Sequence, residues 1–79
     1  MRLEVILHSR LVQYSSDGKS RRLQIDLPPD STIANLISNL GIELPVELIL
    51  LALNGRIAGP QAPLADGDKV HLMLPISGG

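Results

Sequence analysis

The sequence ends in two glycines, Gly78 and Gly79, whose type and position suit a reaction at the C-terminal carboxylate. A terminal carboxylate is a usable reactive group, because once it is activated as an acyl adenylate it accepts a nucleophile. Two residues that lack a Cβ let an extended tail pass through a narrow enzyme channel. The pair follows an apolar segment and a three-residue spacer of Pro75, Ile76 and Ser77, which favours a reactive tail over an inert end.

Side chains that commonly build an enzyme active site are scarce in this sequence. It contains no cysteine, and His8 and His71 have no acidic residue spaced to orient them. Asp66 and Asp68 flank a glycine, but this segment has neither the length nor the terminal glutamate of a calcium loop and is better explained as a turn. The sequence therefore predicts no metal site and no conventional catalytic centre in the chain.

Composition and charge exclude several classes of function. Seven basic and eight acidic side chains give a net charge of −1, so the chain has no excess of positive charge with which to bind a nucleic-acid backbone. A single tyrosine cannot form a stacking platform for bases. No apolar run reaches the roughly 18–20 residues of a membrane span. The N-terminus lacks the long apolar stretch of a signal peptide, so a cytoplasmic location is expected.

The length of 79 residues corresponds to one small domain over residues 1–79. Its stability should be on the order of 4–12 kcal/mol, from the usual contribution per residue. Because the chain has no disulfide and no Phe or Trp, the core must be aliphatic. Pro75 should end the last strand, which leaves residues 75–79 as a flexible tail.

The first third of the sequence predicts an antiparallel hairpin. Residues 2–12 read as a strand, and residues 22–27 alternate, with Leu23 and Ile25 on the apolar face. The polar residues 14–20 between them form a turn that is tightest at Asp17 and Gly18. Four basic residues near this turn are interpreted as a solvated rim rather than an anion site: Arg10, Lys19, Arg21 and Arg22.

One short helix follows the hairpin. Thr32 is the favoured N-cap among Asp30, Ser31 and Thr32. Apolar residues then recur at helical spacing and form one stripe: Ile33, Leu36, Ile37 and Leu40. Gly41 is expected to end the helix in the left-handed conformation, with Ile42 folding back towards the helix. A helix that is apolar on one side must lie on a sheet.

Three strands follow the helix, at residues 47–53, 56–58 and 69–74. Asn54 and Gly55 predict a two-residue hairpin turn. Leu64 lies in an irregular segment, and its side chain is expected to pack into the core. If the last strand lies parallel to the first, the helix forms the crossover between strands of a mixed sheet. The predicted fold is an α+β, ubiquitin-like β-grasp, with a sheet of four to five strands packed on one main helix.

The third predicted strand is apolar on both faces, although the chain has only one helix to cover the sheet. We expect Ile49, Leu51 and Leu53 to face that helix, and Leu48 to face away from it. An exposed apolar patch should then form on the opposite face, and such patches usually mark partner surfaces. Its predicted members are Ile6, Leu50, Ala52, His71 and Met73.

Three segments resemble the MoaD/ThiS sulfur-carrier family of ubiquitin-like proteins. They are residues 53–56 (LNGR), 64–70 (LADGDKV) and 74–79 (LPISGG). Residues 32–36 are similar to the helix of that family, and residues 40–42 to the segment that ends it. The resemblance therefore covers nearly the whole chain. The ending looks more like that of the molybdopterin branch than that of thiamine carriers, with Leu74 where the molybdopterin carriers have a proline.

This resemblance implies a carrier that binds no cofactor and catalyses no reaction itself. An E1-like enzyme would adenylate the tail with ATP and magnesium, and Gly79 would become a thiocarboxylate. The other implied partners are a sulfur donor such as a cysteine desulfurase, and either a large molybdopterin-synthase-type subunit or a thiazole synthase. Residues 75–77 and the apolar patch would contact these partners.

The leading hypothesis is therefore a sulfur carrier that acts as the small subunit of a molybdopterin-synthase-like complex. A carrier for thiamine thiazole is an alternative, and relatives that serve tRNA thiolation, cysteine synthesis or protein conjugation share the same ending. A rival from another class is a protein modifier whose Gly79 forms an isopeptide bond with a lysine. A third hypothesis is an interaction domain with an inert tail.

Overall fold

The computed structural model describes residues 1–74, and the predicted tail, residues 75–79, lies outside this range. The elements within this range are β1 (Arg2–Leu7), a 3₁₀ helix (Ser9–Tyr14), β2 (Arg22–Asp26), α1 (Ile33–Asn39), a second 3₁₀ helix (Val46–Leu48), β3 (Leu50–Leu53), β4 (Arg56–Ile57) and β5 (Lys69–Met73).

The five strands in residues 1–74 form a mixed sheet in the order β2-β1-β5-β3-β4. β1 and β5 are parallel, and the other neighbours are antiparallel. This arrangement confirms the predicted β-grasp.

The first hairpin is confirmed, but its first strand is shorter than predicted. β1 pairs with β2 from Arg2 opposite Asp26 to Ile6 opposite Arg22. The prediction of a strand to residue 12 is wrong, because Ser9 has a positive φ of 52° and turns the chain into a 3₁₀ helix. The turn carries Leu11 into the core, where it is fully buried.

The predicted turn at Asp17 and Gly18 is held by one carboxylate. Asp17 accepts hydrogen bonds from the backbone N–H groups of Lys19 and Ser20, each at 2.9 Å, and from the hydroxyl groups of Ser15 and Ser20. The same donors, led by the N–H of Lys19, hold the pKa of Asp17 well below its usual range. Asp17 therefore organises the connection between β1 and β2.

Local sequence signals determine both ends of α1. Thr32 is the N-cap, as predicted, and its hydroxyl accepts from the N–H of Asn35, whose side chain accepts from the N–H of Thr32. At the other end Gly41 has a φ of 74°, which a residue without a Cβ adopts readily. The N–H groups of Gly41 and Ile42 donate to the carbonyls of Ser38 and Ile37, the Schellman pattern.

The third strand begins later than predicted, because residues 46–48 form a 3₁₀ helix after Pro45. The N–H groups of Leu48 and Ile49 donate back to Pro45 and Val46, so they are not available to a sheet ladder. β3 therefore starts at Leu50 rather than at residue 47. The tight turn that follows β3 is as predicted, with positive φ values of 52° and 88° at its two central residues.

An aliphatic core lies between α1 and one face of the sheet, as the composition predicted. Leu64 is also buried, which confirms its predicted place. Within residues 1–74, no helix has the length and apolar character needed to cross a membrane. The side chains of the core with no exposed surface are Leu3, Val5, Leu7, Leu11, Ile33, Leu36, Val70 and Leu72.

Leu51→Ala should destabilise the protein by about 2–5 kcal/mol, because it removes buried methyl groups and leaves a cavity. Leu51 pairs with Leu72 in the centre of the sheet and is only 3% exposed. Ile57→Ala is the matched control, since Ile57 is 69% exposed and its truncation should change stability by about 0.5 kcal/mol or less. Urea unfolding of both variants measures the difference, and equal midpoints would contradict this packing.

Candidate functional site

The sheet has one face that α1 covers and one that it does not. On β5, Val70 and Leu72 are fully buried beside the helix, so His71 and Met73 alternate onto the other side. We call this second side the open face. The strand register places Ile6 of β1 and Ala52 of β3 on either side of His71, and Leu50 beside Met73. The five predicted patch residues are therefore brought together.

The degree of exposure corrects one of these predictions. Leu50 is 37% exposed, and Ile6, His71 and Met73 are half-buried, so all four present some surface to solvent. Ala52 is only 8% exposed, and its prediction as an exposed residue is wrong. Its side chain is small and lies between those of its neighbours on the two flanking strands, which shield it. Ala52 therefore forms the floor of the open face.

Ile57 was not among the residues predicted for the apolar patch, although it is the most exposed large apolar side chain among residues 1–74. Ile57 pairs with Ala52 and so lies on the open face. The signal was present in the sequence, because a two-residue turn at Asn54 and Gly55 places residue 57 opposite residue 52. Ile57 extends the patch across β4 to the edge of the sheet.

The opposite end of the open face is polar. Glu4 lies 3.1 Å from the guanidinium of Arg22 and 3.5 Å from the ammonium of Lys69, so three strands are connected there. At the corner of the sheet Arg2 and Asp26 form a further ion pair of 3.1 Å. The apolar end, Ile6, Leu50, Ala52, Ile57 and Met73, is the end at which β5 finishes. The predicted reactive tail follows in the sequence from this end.

Two imidazoles lie at the boundary between β1 and β5. His8 Nε2 and His71 Nδ1 are 2.9 Å apart and share a hydrogen bond, and the ring centres are 5.2 Å apart. No partner for either histidine was predicted from the sequence, because their contact depends on the parallel pairing of strands far apart in the chain. Burial lowers the pKa of His71, and the charges of His8 and Lys69 lower it further, against an opposing effect of Glu4.

The two aspartates excluded as metal ligands are turn residues in the structure, as predicted. Asp66 accepts from the N–H of Arg2 at 2.7 Å, and Asp68 accepts from the N–H of Ala65 and the amide of Asn54. Among residues 1–74, no group of three or more His, Asp or Glu side chains is placed to hold a metal ion.

The remaining predicted site residues lie outside the described part of the chain. They are Pro75, Ile76, Ser77, Gly78 and Gly79. Their roles stay predictions, whereas the surface that adjoins their point of attachment is defined by the structure.

Comparison with known proteins identifies the family. A family model described as the ThiS family matches residues 12–79, most of the chain and all of the predicted tail. No curated protein matches the sequence.

Several solved structures share the fold. SAMP1 from Haloferax volcanii is 25% identical with full coverage of both chains and a TM-score of 0.77. A putative molybdopterin converting factor, subunit 1, from Pyrococcus furiosus is 23% identical over 95% of this chain and 98% of that one, with a TM-score of 0.76. In a complex of subunits 1 and 2 of the molybdopterin-converting factor from Helicobacter pylori, one chain is 24% identical, with full coverage of both chains and a TM-score of 0.65. This chain belongs to the ThiS family of ubiquitin-like proteins.

Proposed function

We propose that this protein is a cytoplasmic sulfur carrier whose Gly79 is adenylated and then converted to a thiocarboxylate. In this proposal it acts as the small subunit of a molybdopterin-synthase-like complex. The observation that carries the proposal is the apolar end of the open face, which lies where β5 ends and the Gly-Gly tail follows. The folded domain thereby offers a partner an apolar binding surface, and the tail that a partner can modify follows directly after it in the sequence.

The chemistry belongs to the tail and to the enzyme that activates it. A carboxylate oxygen of Gly79 attacks the α-phosphorus of ATP and releases pyrophosphate, with the ATP and magnesium bound by an E1-like enzyme. Hydrosulfide attacking the acyl carbon displaces AMP and gives the thiocarboxylate directly. If the donor is the persulfide of a cysteine desulfurase, the attack displaces AMP to give an acyl disulfide, and thiols must then reduce its S–S bond to release the thiocarboxylate. The family match over residues 12–79 supports this sequence of steps.

The assignment to molybdopterin synthesis is supported by the ending LPISGG, which is similar to that of the molybdopterin carriers. The thiocarboxylate would then supply sulfur for the dithiolene on a large synthase subunit. A carrier for thiamine thiazole or for tRNA thiolation would use the same tail chemistry with a different acceptor. Purified large subunit and purified thiazole synthase are each added to the thiocarboxylate form of this protein. Loss of sulfur from Gly79 then shows which of the two acts as the acceptor.

The second candidate is a protein modifier that forms an isopeptide bond between Gly79 and a lysine. SAMP1 is a small archaeal modifier protein, and the match to it at 25% identity over both full chains favours this alternative. The modifier hypothesis requires the same acyl adenylate but predicts covalent ladders in cell extract. These ladders would disappear when Gly79 is deleted.

Docking of the activating enzyme is proposed to occur on the open face. The enzyme must hold the folded body while the tail extends into its adenylation site, so its contacts should lie near the end of β5. Leu50, Ile57 and Met73 are among the exposed or half-buried apolar side chains there. They form the apolar centre that an interface of this kind requires.

Deletion of Gly79 should abolish thiocarboxylate formation while leaving the melting temperature unchanged, because the buried core lies within residues 3–72. The protein is incubated with the E1-like enzyme, magnesium, ATP and inorganic sulfide, and its intact mass is measured. The parent should gain the mass of one sulfur-for-oxygen replacement. A parent that gains only isopeptide-linked products supports the modifier, and activity that survives the deletion contradicts both tail-based functions.

Met73→Asp should fold normally, because Met73 is half-exposed in the free protein, but it should lose adenylation. In the complex the substitution would bury an unpaired carboxylate in an apolar interface, which costs more than the lost packing. A central anchor contributes about 2 kcal/mol or more, so ATP–pyrophosphate exchange at low protein concentration should fall roughly 30-fold or more. Leu48→Asp is the control, since Leu48 is 53% exposed but lies in the 3₁₀ helix before β3. Unchanged exchange in Met73→Asp would remove the patch from the mechanism.

Adenylation should weaken as the pH falls through the pKa of His71, which lies below the usual histidine value of about 6.5. Covering His71 disfavours its protonation, so the complex binds fewer protons than the free protein and loses affinity as acid is added. The charged groups near the His8–His71 pair are Glu4, Lys69 and Arg22, of which only Glu4 favours protonation. The KM for the protein, compared between the parent and His71→Asn at pH 7.5 and pH 5.5, checks this. An equal change in both would contradict it.

A further inference from the structure

Within residues 1–74, the outer edge of β2 has no neighbouring strand, because β2 stands at one end of the sheet beside β1. At the two ends of this pairing the N–H of Leu7 donates to Arg21, and the N–H of Leu27 donates to Met1. Hydrogen-bonded and non-hydrogen-bonded pairs alternate along an antiparallel ladder, so the odd-numbered residues of β2 direct their backbone groups towards β1. The N–H and C=O groups of residues 22, 24 and 26 therefore point away from the sheet.

This free edge has defined ends. The N–H of Ser20, which would extend it at one end, already donates to the carboxylate of Asp17 at 2.9 Å. At the other end residue 28 is a proline, which has no N–H to donate. Across the part of the chain that the structure describes, the outward backbone groups of residues 22, 24 and 26 have no hydrogen-bond partner. They form an exposed edge centred on Gln24, and such an edge is a template for pairing with another strand.

The side chains of this edge are complementary to a second copy of themselves. When two β2 strands pair antiparallel with Gln24 opposite Gln24, Arg22 of each copy lies opposite Asp26 of the other. Leu23 then lies opposite Ile25 on the helix side, where both side chains are half-buried against the core. Opposite charges and apolar side chains that face each other directly across a ladder stabilise the pairing of two strands.

This register uses the whole free edge. It pairs outward residues with outward residues at all three positions, with two backbone hydrogen bonds in each pair. A shift by two residues would require the backbone of residue 20 or 28, where the N–H is engaged or absent, and would place Arg22 opposite Gln24. An in-register parallel arrangement would place like charges side by side. The antiparallel register centred on Gln24 is therefore favoured over each alternative.

The ion pairs within one copy do not block this contact. Arg22 is paired with Glu4, and Asp26 is paired with Arg2, in both cases between β2 and β1. Each carboxylate oxygen has two lone pairs, so Asp26 can accept from Arg2 and from Arg22 of the second copy at once. Charges of alternating sign then continue across the boundary between the two copies.

We propose that the free edge of β2 is a homodimer interface, at which two copies of this chain form one continuous sheet around a twofold axis at Gln24. Edge strands that resist pairing carry lysine, proline or a bulge, and β2 (RLQID, in unbroken register with β1) has none of these. A net charge of −1 gives two copies little mutual repulsion. The apolar end on β3, β4 and β5 stays uncovered, because β1 separates these strands from β2. The inference does not depend on the proposed function.

Charge reversal with complementation tests this inference. Arg22→Glu makes carboxylates face each other at the contact, and Asp26→Arg makes guanidinium groups face each other. Each variant alone should therefore associate about tenfold or more weakly than the parent. An equimolar mixture should associate like the parent, because every position then has opposite charges again. Arg56→Glu on β4 changes the net charge as Arg22→Glu does and is the control, which should dimerise normally.

Sedimentation equilibrium measures the association in low salt, from about 10 μM to about 1 mM protein, because a single strand pair makes a small interface. The average mass of the parent should rise from 8.5 kDa towards twice that value. Amide hydrogen exchange in the parent identifies the edge. Residues 22, 24 and 26 should become protected as the concentration rises, whereas Leu23 and Ile25 are protected throughout. This measurement needs no variant, so it decides even if a charge reversal prevents folding.

Three results would overturn the inference. A parent that stays monomeric at every concentration has no such interface. A dimer that survives both charge reversals, or concentration-dependent protection on β3 and β5 instead of β2, would place the contact on the open face. A mixture of the two variants that associates no better than either alone would show that the charges of β2 do not meet across the contact.

Protection of residues 22, 24 and 26 that appears only after the E1-like enzyme is added would assign this edge to a different protein, and the homodimer would be refuted.

Discussion

The parallel pairing of β1 with β5 is the constraint on which the rest of this structure depends. Two parallel neighbours cannot be joined by a tight turn, so the chain between them must cross over one face of the sheet. α1 supplies that crossover, and its buried residues complete an aliphatic core with the inner faces of β1 and β5. Because residues 1–74 contain no second α-helix, the other face of the sheet stays open.

The same pairing gathers the candidate site from distant parts of the chain. It places Ile6 beside His71 and brings the connection after β1 next to the end of β5. Strand alternation then separates two roles within single strands, with Val70 and Leu72 in the core and His71 and Met73 on the open face. A small domain without disulfides thereby combines a packed core with an exposed apolar surface beside the end of β5.

Features that depend on local chemistry were predictable from the sequence, whereas features that depend on the exact register between distant strands were not. The Thr32 cap, the end of α1 at Gly41 and the tight turn after β3 follow from neighbouring residues, and all are confirmed. The early end of β1 was not visible, because nothing in the alternation of residues 2–12 signals the positive φ of Ser9. The burial of Ala52 and the His8–His71 contact require the register between strands, which a single sequence does not contain.

We infer that the open face, rather than the helix side, binds the partner while the tail is modified. Amide chemical-shift changes in the isotopically labelled protein, measured as the E1-like enzyme is added, distinguish the two faces. We expect the largest changes on Ile6, Leu50 and Ile57 and along β5, while α1 is little affected. Changes concentrated on α1, with β3 and β5 unaffected, would contradict it.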